Sequence, residues 1–351
     1  MDKRQVAMVI DLNKCIGCQT CTVACKTQWT SGEGQEGMWW NTVSSAPGMG
    51  TPRGWEEMGG GFEDGKAKKG VLPKQADFGN PLDFNFQEAL FDGDETLQPI
   101  DGDPDWGTNW DEDVGGGDFP NSYNFYIPRI CNHCTRPACM EACPRGAIYK
   151  RDEDGIVLIN QDHCRGFRFC QEACPYKEIY YNATTGTGQK CVFCLPRVEE
   201  GVATACSRQC PGRVRFLGFL DDEDGPIYKL VKKYKVALAL HPEYETEPNV
   251  FYIPPSAPAK FDDEGNPIDD PRIPLEYLES LFGPEVGPAL EMIEKERGKK
   301  KRGEASDLMD TLISRNWLDL FGPFTNSPKD VAEKRAQGGN AETISFPGAG
   351  E

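Results

Sequence analysis

The sequence has little histidine, no long apolar run and no excess of basic residues. Only three of its 351 residues are His, which argues against an imidazole-rich metal site. No window of about 18 consecutive apolar residues occurs, so we expect no direct insertion into a membrane. The formal net charge is −18. Nucleic acid is therefore not an expected partner, because binding phosphate requires a basic face.

The N-terminal residues also lack an export signal. Residues 1–10 lead directly into the first cysteine motif, without an apolar core of about 7–15 residues and without a cleavage site of small residues. An exported chain of this kind would leave the cytoplasm folded and bound to a partner that carries the signal.

What the sequence has in abundance is cysteine, with 15 copies arranged in groups. Such a density indicates disulfides in secreted chains shorter than about 100 residues, but this chain is much longer. The first group, Cys15, Cys18, Cys21 and Cys25, has spacings of two, two and three residues, the ligand pattern of a bacterial-type iron–sulfur site. Its first three thiolates would hold one cluster. We expect Cys25 to stand where a helix begins, to face away and to serve a second cluster.

A motif of this kind requires partner motifs, and the chain has three more. The last one, taken alone, could be a zinc site, but beside three ferredoxin-type motifs we interpret it as part of an iron–sulfur set. The second group is Cys131, Cys134, Cys139 and Cys143, the third is Cys164, Cys170 and Cys174, and the fourth is Cys191, Cys194, Cys206 and Cys210.

The third group lacks one ligand. When it is aligned on the first group, Phe167 stands where Cys18 stands. A phenyl ring cannot ligate iron, so this site has two local thiolates and one from another group, which suits a [3Fe–4S] cluster. The alternative is a [4Fe–4S] cluster completed by water or by a side chain other than Cys. The bulky, apolar Phe167 favours three irons, and the loss of one iron and one thiolate predicts a comparatively high potential.

Cross-ligation between motifs predicts the complete ligand sets. The inner pairing is based on the single hairpin between its two motifs, and the outer pairing follows by elimination. The sets are Cys15, Cys18, Cys21 and Cys210 for one [4Fe–4S] cluster, Cys25, Cys191, Cys194 and Cys206 for a second, Cys131, Cys134, Cys139 and Cys174 for a third, and Cys143, Cys164 and Cys170 for the [3Fe–4S] cluster.

The order of motifs and predicted elements indicates an α+β fold made of two nested ferredoxin-like two-cluster units, a long irregular insertion and an extended C-terminal arm. We expect strands at residues 5–12 and 125–130, and a hairpin over residues 147–159 with its turn at Asp154 and Gly155. The outer unit comprises residues 1–26 and 187–220, the cysteine-free insertion residues 27–123, the inner unit residues 124–186, and the arm residues 221–351.

The insertion and the arm have no enzyme motif. Short helices are expected in the arm near residues 227–235, 275–282, 289–297 and 307–318, and we expect the arm to lie on another subunit. Two interpretations of the insertion stay open, since its tryptophans could anchor it on a partner subunit or pack over the cluster units. These tryptophans are Trp29, Trp39, Trp40, Trp55, Trp106 and Trp110.

Several basic residues stand beside the cysteines. Lys14, Lys26 and Lys190 could tune cluster potentials by their charge, and ordinary surface positions explain them equally well. For His133 a structural role is favoured over a hydrogen bond to a sulfide.

At these motifs the sequence resembles the iron–sulfur electron-transfer (beta) subunits of the dimethyl sulfoxide reductase family of molybdenum enzymes. The resemblance is strongest to the subgroup of respiratory nitrate reductase, ethylbenzene dehydrogenase, dimethyl sulfide dehydrogenase, and selenate, chlorate and perchlorate reductases. The family's third motif also lacks its second cysteine, but it has Trp or a small residue there. Phe167 therefore differs from the family in residue type, while the absence of a ligand is shared. The matching segments are residues 11–25, 131–134, 164–166, 173–176, 240–243 and 247–252.

The resemblance implies two partners, a catalytic alpha subunit with a molybdopterin centre and a gamma subunit with haem b. It implies that the cluster of Cys15, Cys18, Cys21 and Cys210 lies nearest the molybdenum and the three-iron cluster nearest the haem. The chain would be no enzyme by itself. It would relay electrons one at a time in a periplasmic oxidoreductase such as ethylbenzene dehydrogenase, exported with a signal-bearing partner.

Other functions stay open at this point. The chain could be the beta subunit of an oxyanion (nitrate, selenate, chlorate or perchlorate) reductase, with a cytoplasmic location as the alternative. The resemblance implies that nitrate reductase beta is longer and cytoplasmic, so the length of 351 residues favours the periplasmic members. A free polyferredoxin carrier would need neither insertion nor arm. A self-contained enzyme with its substrate site in residues 27–123 would need a pterin- or flavin-binding motif, which we do not find.

Overall fold

The computed structural model describes residues 4–78 and 115–336. Two of the predicted tryptophan anchors, Trp106 and Trp110, lie outside these residues. The strands are β1 (Val6–Asp11), β2 (Asn41–Ala46), β3 (Phe62–Glu63), β4 (Lys66–Ala67), β5 (Phe125–Ile130), β6 (Ile148–Lys150), β7 (Val157–Ile159), β8 (Tyr180–Asn182), β9 (Thr187–Gln189), β10 (Arg215–Phe219), β11 (Leu238–Ala239), β12 (Val250–Ile253), β13 (Ala259–Phe261) and β14 (Pro267–Pro271).

Half of the helices in the described residues contain or directly follow a cysteine of the motifs, and the longest helix lies in the last third of the chain. This mixture of helices and small sheets is the α+β content that the sequence predicted. The helices are α1 (Thr20–Trp29), α2 (Ala138–Glu141), α3 (Phe169–Ala173), α4 (Leu195–Val198), α5 (Ala205–Arg208), α6 (Pro226–Tyr228), α7 (Leu275–Phe282), α8 (Val286–Lys301), α9 (Asp307–Ile313) and α10 (Pro328–Ala336).

A four-stranded sheet in the order β10–β1–β12–β11 forms the centre of the molecule. The predicted first strand is confirmed as β1, and all six of its residues are buried. It pairs antiparallel with β10 and parallel with β12. Its continuous apolar sequence fits this position, because a strand covered on both faces has no solvent side to make polar.

The central sheet corrects the prediction for the arm. β11 and β12 belong to residues 221–351, yet β12 pairs with β1 over four residues. The helical part also packs on its own chain, since Leu308, Leu320, Phe321 and Phe324 are buried. The ring of Phe324 lies 5.5 Å from that of Phe219 in β10. These segments are therefore not an extended arm, because their apolar side chains complete the core of this chain, and contact with another subunit stays a prediction.

The insertion is likewise part of the fold where the structure describes it. β2 pairs antiparallel with β5 along six residues, so the insertion is not irregular throughout. Trp39, Trp40 and Trp55 are buried in this chain, and the Trp55 ring lies 3.6 Å from the Arg129 guanidinium. For these three tryptophans the interpretation as partner anchors is wrong, and packing over the cysteine-bearing units is what the structure shows.

Two hairpins connect the cysteine loops in the middle of the chain. The predicted hairpin of residues 147–159 is confirmed as β6 and β7, which pair antiparallel. Gly155 at its turn has a φ of +71°, and the Asp154 carboxylate accepts a hydrogen bond from the Ile156 N–H. β8 and β9 form the second hairpin. Among the described residues, no helix is both long and apolar enough to cross a bilayer.

Candidate iron–sulfur sites

All 15 cysteines lie within the described residues, and all have free thiols. In space they form four groups. Site 1 is Cys15, Cys18, Cys21 and Cys210; site 2 is Cys25, Cys191, Cys194 and Cys206; site 3 is Cys131, Cys134, Cys139 and Cys174; site 4 is Cys143, Cys164 and Cys170. These are the sets that cross-ligation predicted, and that each set ligates iron stays a prediction.

Site 1 is a cavity at the surface, and all four of its cysteines line it. Cys18 is exposed, and the neighbouring Ile16 is 68% exposed. Two side-chain donors point at one of its sulfurs. Asn41 donates from Nδ2 to Cys21 Sγ at 3.3 Å, and Arg215 donates from Nη2 to the same sulfur at 3.5 Å.

Helix α1 joins site 1 to site 2. Residues four apart lie on the same helix face, one above the other, so Cys21 and Cys25 face two neighbouring groups of thiols. The expectation that the helix begins at Cys25 is wrong, because it begins at Thr20 and includes both cysteines. Cys25 joins the thiols of the fourth motif, as predicted from its orientation away from the first three.

Site 2 is closed, since each of its four cysteines is at most 9% exposed. Its sulfurs receive donors from several elements. Trp29 donates from Nε1 to Cys194 Sγ at 3.1 Å, and the Ala205 N–H donates to the same sulfur at 3.4 Å. The Phe193 N–H donates to Cys191 Sγ. Such N–H donors favour the thiolate form that binds metal.

Site 4 is again a surface cavity, and Phe167 lines it together with the three thiols. The Phe167 ring is 55% exposed and stacks on that of Phe169, with centroids 6.4 Å apart. The backbone N–H groups of Ala147 and Gly188 donate to Cys143 and Cys164. The position that lacks a cysteine in the sequence is thus occupied by an exposed aromatic ring at the mouth of the cavity.

The four sites follow one another in the order of their numbers. Sites 1 and 2 share α1. Sites 2 and 3 lie next to each other. Cys131 of site 3 raises the pKa of Cys191 in site 2, an effect second only to that of burial. Sites 3 and 4 also lie next to each other. Cys174 of site 3 raises the pKa of Cys170 in site 4, in addition to the effects of burial and of the other two cysteines of site 4. The arrangement therefore has two open ends, site 1 and site 4.

The loops share one backbone conformation. In each of the four motifs the second residue after the first cysteine has a positive φ: Gly17 (+68°), His133 (+44°), Gly166 (+64°) and Phe193 (+53°). In the first and fourth motifs the N–H group of this residue meets the sulfur of the first cysteine, Cys15 or Cys191. Only two of the four positions are Gly, although left-handed backbone costs other residues about 1 kcal/mol. A Cβ on Gly17 would stand 2.6 Å from the Tyr126 ring, so close packing adds to the need for glycine there.

Burial governs the protonation of the thiols. It raises the pKa of Cys15 to about 11 and those of Cys170 and Cys194 to about 12. Burial also raises the pKa of Cys25 well above its ordinary value, and the nearby Cys191, Cys206 and Cys194 add to this. Neutral thiols must therefore release protons when they bind metal, and a cationic metal core supplies the charge that lets several thiolates share a buried site.

Three buried basic residues accompany the sites. Lys190 is buried and donates from Nζ to the carbonyl oxygens of Val157 and Cys191, so the alternative of a surface lysine is wrong. His133 accepts from the Val157 N–H at Nδ1, which fits the structural role favoured for it. Arg215 was missed from the sequence, although an arginine within the apolar run Val214 to Phe219 is a signal that could have found it.

The donor chemistry fits iron–sulfur clusters. Soft thiolates select such clusters or zinc, and the thiols of sites 1 and 4 each line a shared cavity. Among the described residues, no three His, Cys, Asp or Glu side chains converge as the ligands of one metal ion do. In a cubane the thiolates bind different corners of an inorganic core, so they need not approach one another as closely as the ligands of one ion.

Comparison with known proteins agrees with this chemistry. A family model described as a 4Fe-4S dicluster domain matches residues 122–220, and one described as a 4Fe-4S binding domain matches residues 6–27. Dimethylsulfide dehydrogenase subunit beta from Rhodovulum sulfidophilum is 55% identical over 322 residues, covering 92% of this chain and 99% of the relative. Selenate reductase subunit beta from Thauera selenatis is 54% identical over 326 residues, covering 92% and 100%.

A third relative corrects an expectation. Respiratory nitrate reductase subunit beta from Haloferax mediterranei is 58% identical over 322 residues, covering 89% of this chain and 91% of the relative. A nitrate reductase beta subunit thus matches nearly from end to end, so the length of this chain does not argue against that type. Ethylbenzene dehydrogenase is named by none of these three relatives and stays a prediction. The extent of these matches shows that the chain belongs to the iron–sulfur beta subunits of the dimethyl sulfoxide reductase family of molybdenum enzymes.

Proposed function

We propose that the chain holds three [4Fe–4S] clusters at sites 1, 2 and 3 and one [3Fe–4S] cluster at site 4. The observation that carries this proposal is the series of four adjoining thiol groups, in which the first and the last line surface cavities. When bound, the clusters supply one-electron carriers. The residues of this chain set the distances between the clusters, exclude water from site 2 and donate N–H hydrogen bonds to the sulfurs. No acid–base pair or nucleophile is assigned, since chemistry on a substrate belongs to a partner.

The domain organisation follows from the ligand sets. Sites 1 and 2 belong to the outer ferredoxin-like unit of residues 1–26 and 187–220, and sites 3 and 4 to the inner unit of residues 124–186. Each unit carries two sites, and the inner unit is nested between the two parts of the outer one. The regions of residues 27–123 and 221–351 add to both units, as the pairing of β2 with β5 and of β12 with β1 supports.

The open ends suggest where partners bind. We propose a catalytic molybdopterin subunit at site 1 and a haem b subunit at site 4, as the family resemblance implies. Cys18 and Ile16 are exposed at one end and Phe167 and Phe169 at the other, so each end presents apolar surface next to its thiols. A periplasmic location, reached by export with a signal-bearing partner, is part of the proposal, with the cytoplasm as the alternative.

For the reaction of the complex we propose reduction of an oxyanion, with an ethylbenzene dehydrogenase-type oxidation as the second candidate. The names of the selenate and nitrate reductase relatives favour the first, whereas the name of the dimethylsulfide dehydrogenase relative indicates an oxidation, as in the second. Assaying the purified complex with a dye as electron donor or acceptor separates the two. Nitrate, selenate and chlorate are offered with reduced dye, and ethylbenzene with oxidised dye. Turnover of ethylbenzene alone would overturn the oxyanion proposal.

Iron and acid-labile sulfide analysis tests the cluster proposal directly. We expect about 15 iron atoms per chain, together with inorganic sulfide, and a three-iron EPR signal in the air-oxidised protein. Zinc in place of iron, or disulfides without inorganic sulfide, would refute it. Affinity purification through a tag on this chain should recover a large molybdopterin subunit. A free monomer at low concentration would instead support a polyferredoxin carrier.

A further inference from the structure

Arg215 lies at the first position of β10 and is only 1% exposed. Its guanidinium has three hydrogen-bonding partners, and all are neutral groups or thiol sulfur. Nη2 donates to Asn41 Oδ1 at 2.6 Å and to Cys21 Sγ at 3.5 Å, and Nη1 lies 3.6 Å from Met8 Sδ. Within the described part of the chain, no carboxylate forms an ion pair with it.

A second buried arginine shows how unusual this is. Arg129 is 3% exposed and has a carboxylate partner, since its Nη2 lies 3.3 Å from Glu178 Oε1. It also donates to the carbonyl oxygen of Thr51 and lies over the Trp55 ring. Arg129 therefore has a carboxylate partner in the protein, whereas the hydrogen-bonding contacts of Arg215 are with Asn41, Met8 and cysteine sulfur, and the Tyr252 side chain lies nearby.

A buried guanidinium without an anion is costly, because Arg stays protonated in proteins and its charge loses the solvation of water. The sulfurs nearest to Arg215 belong to site 1, and they become thiolates when they bind iron. Arg215 lines the site 1 cavity together with Cys15, Cys21 and Cys210. Cys25 of site 2 follows Cys21 by one turn of α1. Arg215 thus lies at site 1, and site 2 is its next neighbour along the helix.

We propose that Arg215 is the internal counter-charge of sites 1 and 2 and raises the reduction potentials of the clusters they hold. The inference rests on the proposed function, since it needs clusters at these sites. Reduction adds one negative charge to a cluster, and a fixed cation nearby stabilises the reduced form more than the oxidised one. Site 1 feels the larger effect, because the guanidinium contacts Cys21 directly. Arg215 acts through this thiolate and is a positioning residue for electron transfer.

Asn41 completes the arrangement. Its Oδ1 accepts from Arg215, and its Nδ2 donates to Cys21 Sγ at 3.3 Å and to Thr22 Oγ1 at 3.1 Å. One amide therefore holds both the cation and the ligand sulfur. Asn41 is the first residue of β2, so the region of residues 27–123 contributes a part to site 1.

The test is a redox titration of the purified complex followed by EPR. Arg215→Gln should lower the reduction potential of the site 1 cluster. We expect the ratio of reduced to oxidised cluster at a given potential to fall about tenfold, which corresponds to about 59 mV for one electron. The shift at site 2 should be smaller, and sites 3 and 4 should stay unchanged. Arg215→Lys should recover much of the shift. Arg213→Gln is the matched control, since it removes an exposed cation two residues away and should move no potential.

Asn41→Asp covers the case in which Arg215→Gln fails to accumulate. It keeps the size of the side chain and the bond to the guanidinium, but it places a carboxylate there that cancels the positive charge and removes the Nδ2 donor to Cys21 Sγ. It should also lower the potential of site 1. Unchanged potentials of sites 1 and 2 in these variants, at full iron content, would overturn the inference. Wild-type protein without iron and sulfide would instead refute the proposed function, so the two failures are distinguishable.

Discussion

Site 1 and site 2 stand one helical turn apart on α1 and use the same kind of ligand, yet their surroundings differ. Site 1 opens to the surface beside the exposed Cys18 and Ile16, whereas all four thiols of site 2 are buried. On the proposed function, this difference in burial distinguishes a site that exchanges electrons with another molecule from a site that passes them on within the chain. Site 4, with its exposed Phe167, resembles site 1 in this respect.

Loss of a ligand should affect the closed site most. Cys25→Ser leaves three buried thiols of site 2 without a complete ligand set, so we expect loss of about four iron atoms and about 4 kcal/mol or more of stability. Cys18→Ser at the open site should keep the chain folded and lose about one iron atom, because site 1 then matches the ligand count of site 4. Iron analysis and thermal unfolding measure both effects. Equal losses in the two variants would contradict the comparison.

A cysteine at position 167 would give site 4 a fourth thiol, as Cys18 does in site 1. Phe167→Cys should convert the three-iron centre of site 4 into a four-iron one, because the ring lines the cavity where Cys18 lines that of site 1. The three-iron EPR signal should disappear, and the iron content should rise by about one atom per chain. Phe167→Ala is the control, since it removes the ring without adding a ligand and should keep the signal. Retention of the signal in fully reconstituted Phe167→Cys would count against the ligand set.

A smaller change concerns the donors to the closed site. Trp29→Phe removes the bond from Nε1 to Cys194 Sγ, which is worth about 1 kcal/mol or less. N–H donors to sulfur stabilise the more negative, reduced cluster, so the potential of site 2 should fall slightly. Redox titration with EPR should show that site 1 keeps its potential. A shift of all four potentials would indicate a general structural change instead.

The smallest effect is expected at a group of exposed ion pairs within the arm, between Asp307 and the two lysines Lys229 and Lys233. Hydrogen bonds from Lys229 and Lys233 lower the pKa of Asp307 from 3.8 to about 2. A carboxyl whose pKa is lowered in the folded state stabilises the fold above its ordinary pKa and loses this effect as the pH falls through the lowered value. Asp307→Asn should therefore cost about 0.5 kcal/mol at pH 7, since the site is partly exposed.

Urea unfolding at several pH values measures this cost. The difference between Asp307→Asn and wild type should be constant from pH 7 to pH 5 and shrink between pH 3.8 and 2. Asp319→Asn, on another exposed acidic residue of the arm, serves as the control. A difference that grows toward low pH would have the wrong sign for this explanation.

Local patterns predicted much of the molecule. The apolar run at β1, the hairpin around Gly155 and the amphipathic helices α7 and α8 form as expected. The insertion and the arm were predicted less well. Their glycines, prolines and charges have no clear periodicity, and their partners in β1, β5 and β10 lie far away in sequence.

The sequence by itself determined the number of thiol groups, the missing ligand at Phe167 and the chemistry of the donors, because short spacings between cysteines constrain a loop locally. Only the tertiary structure decided which groups are open, in what order they stand and which charges adjoin them. Arg215 meets Asn41 across 174 residues, and Trp29 meets Cys194 across 165. Burial and counter-charge arise from such long-range packing, and no local spacing encodes them.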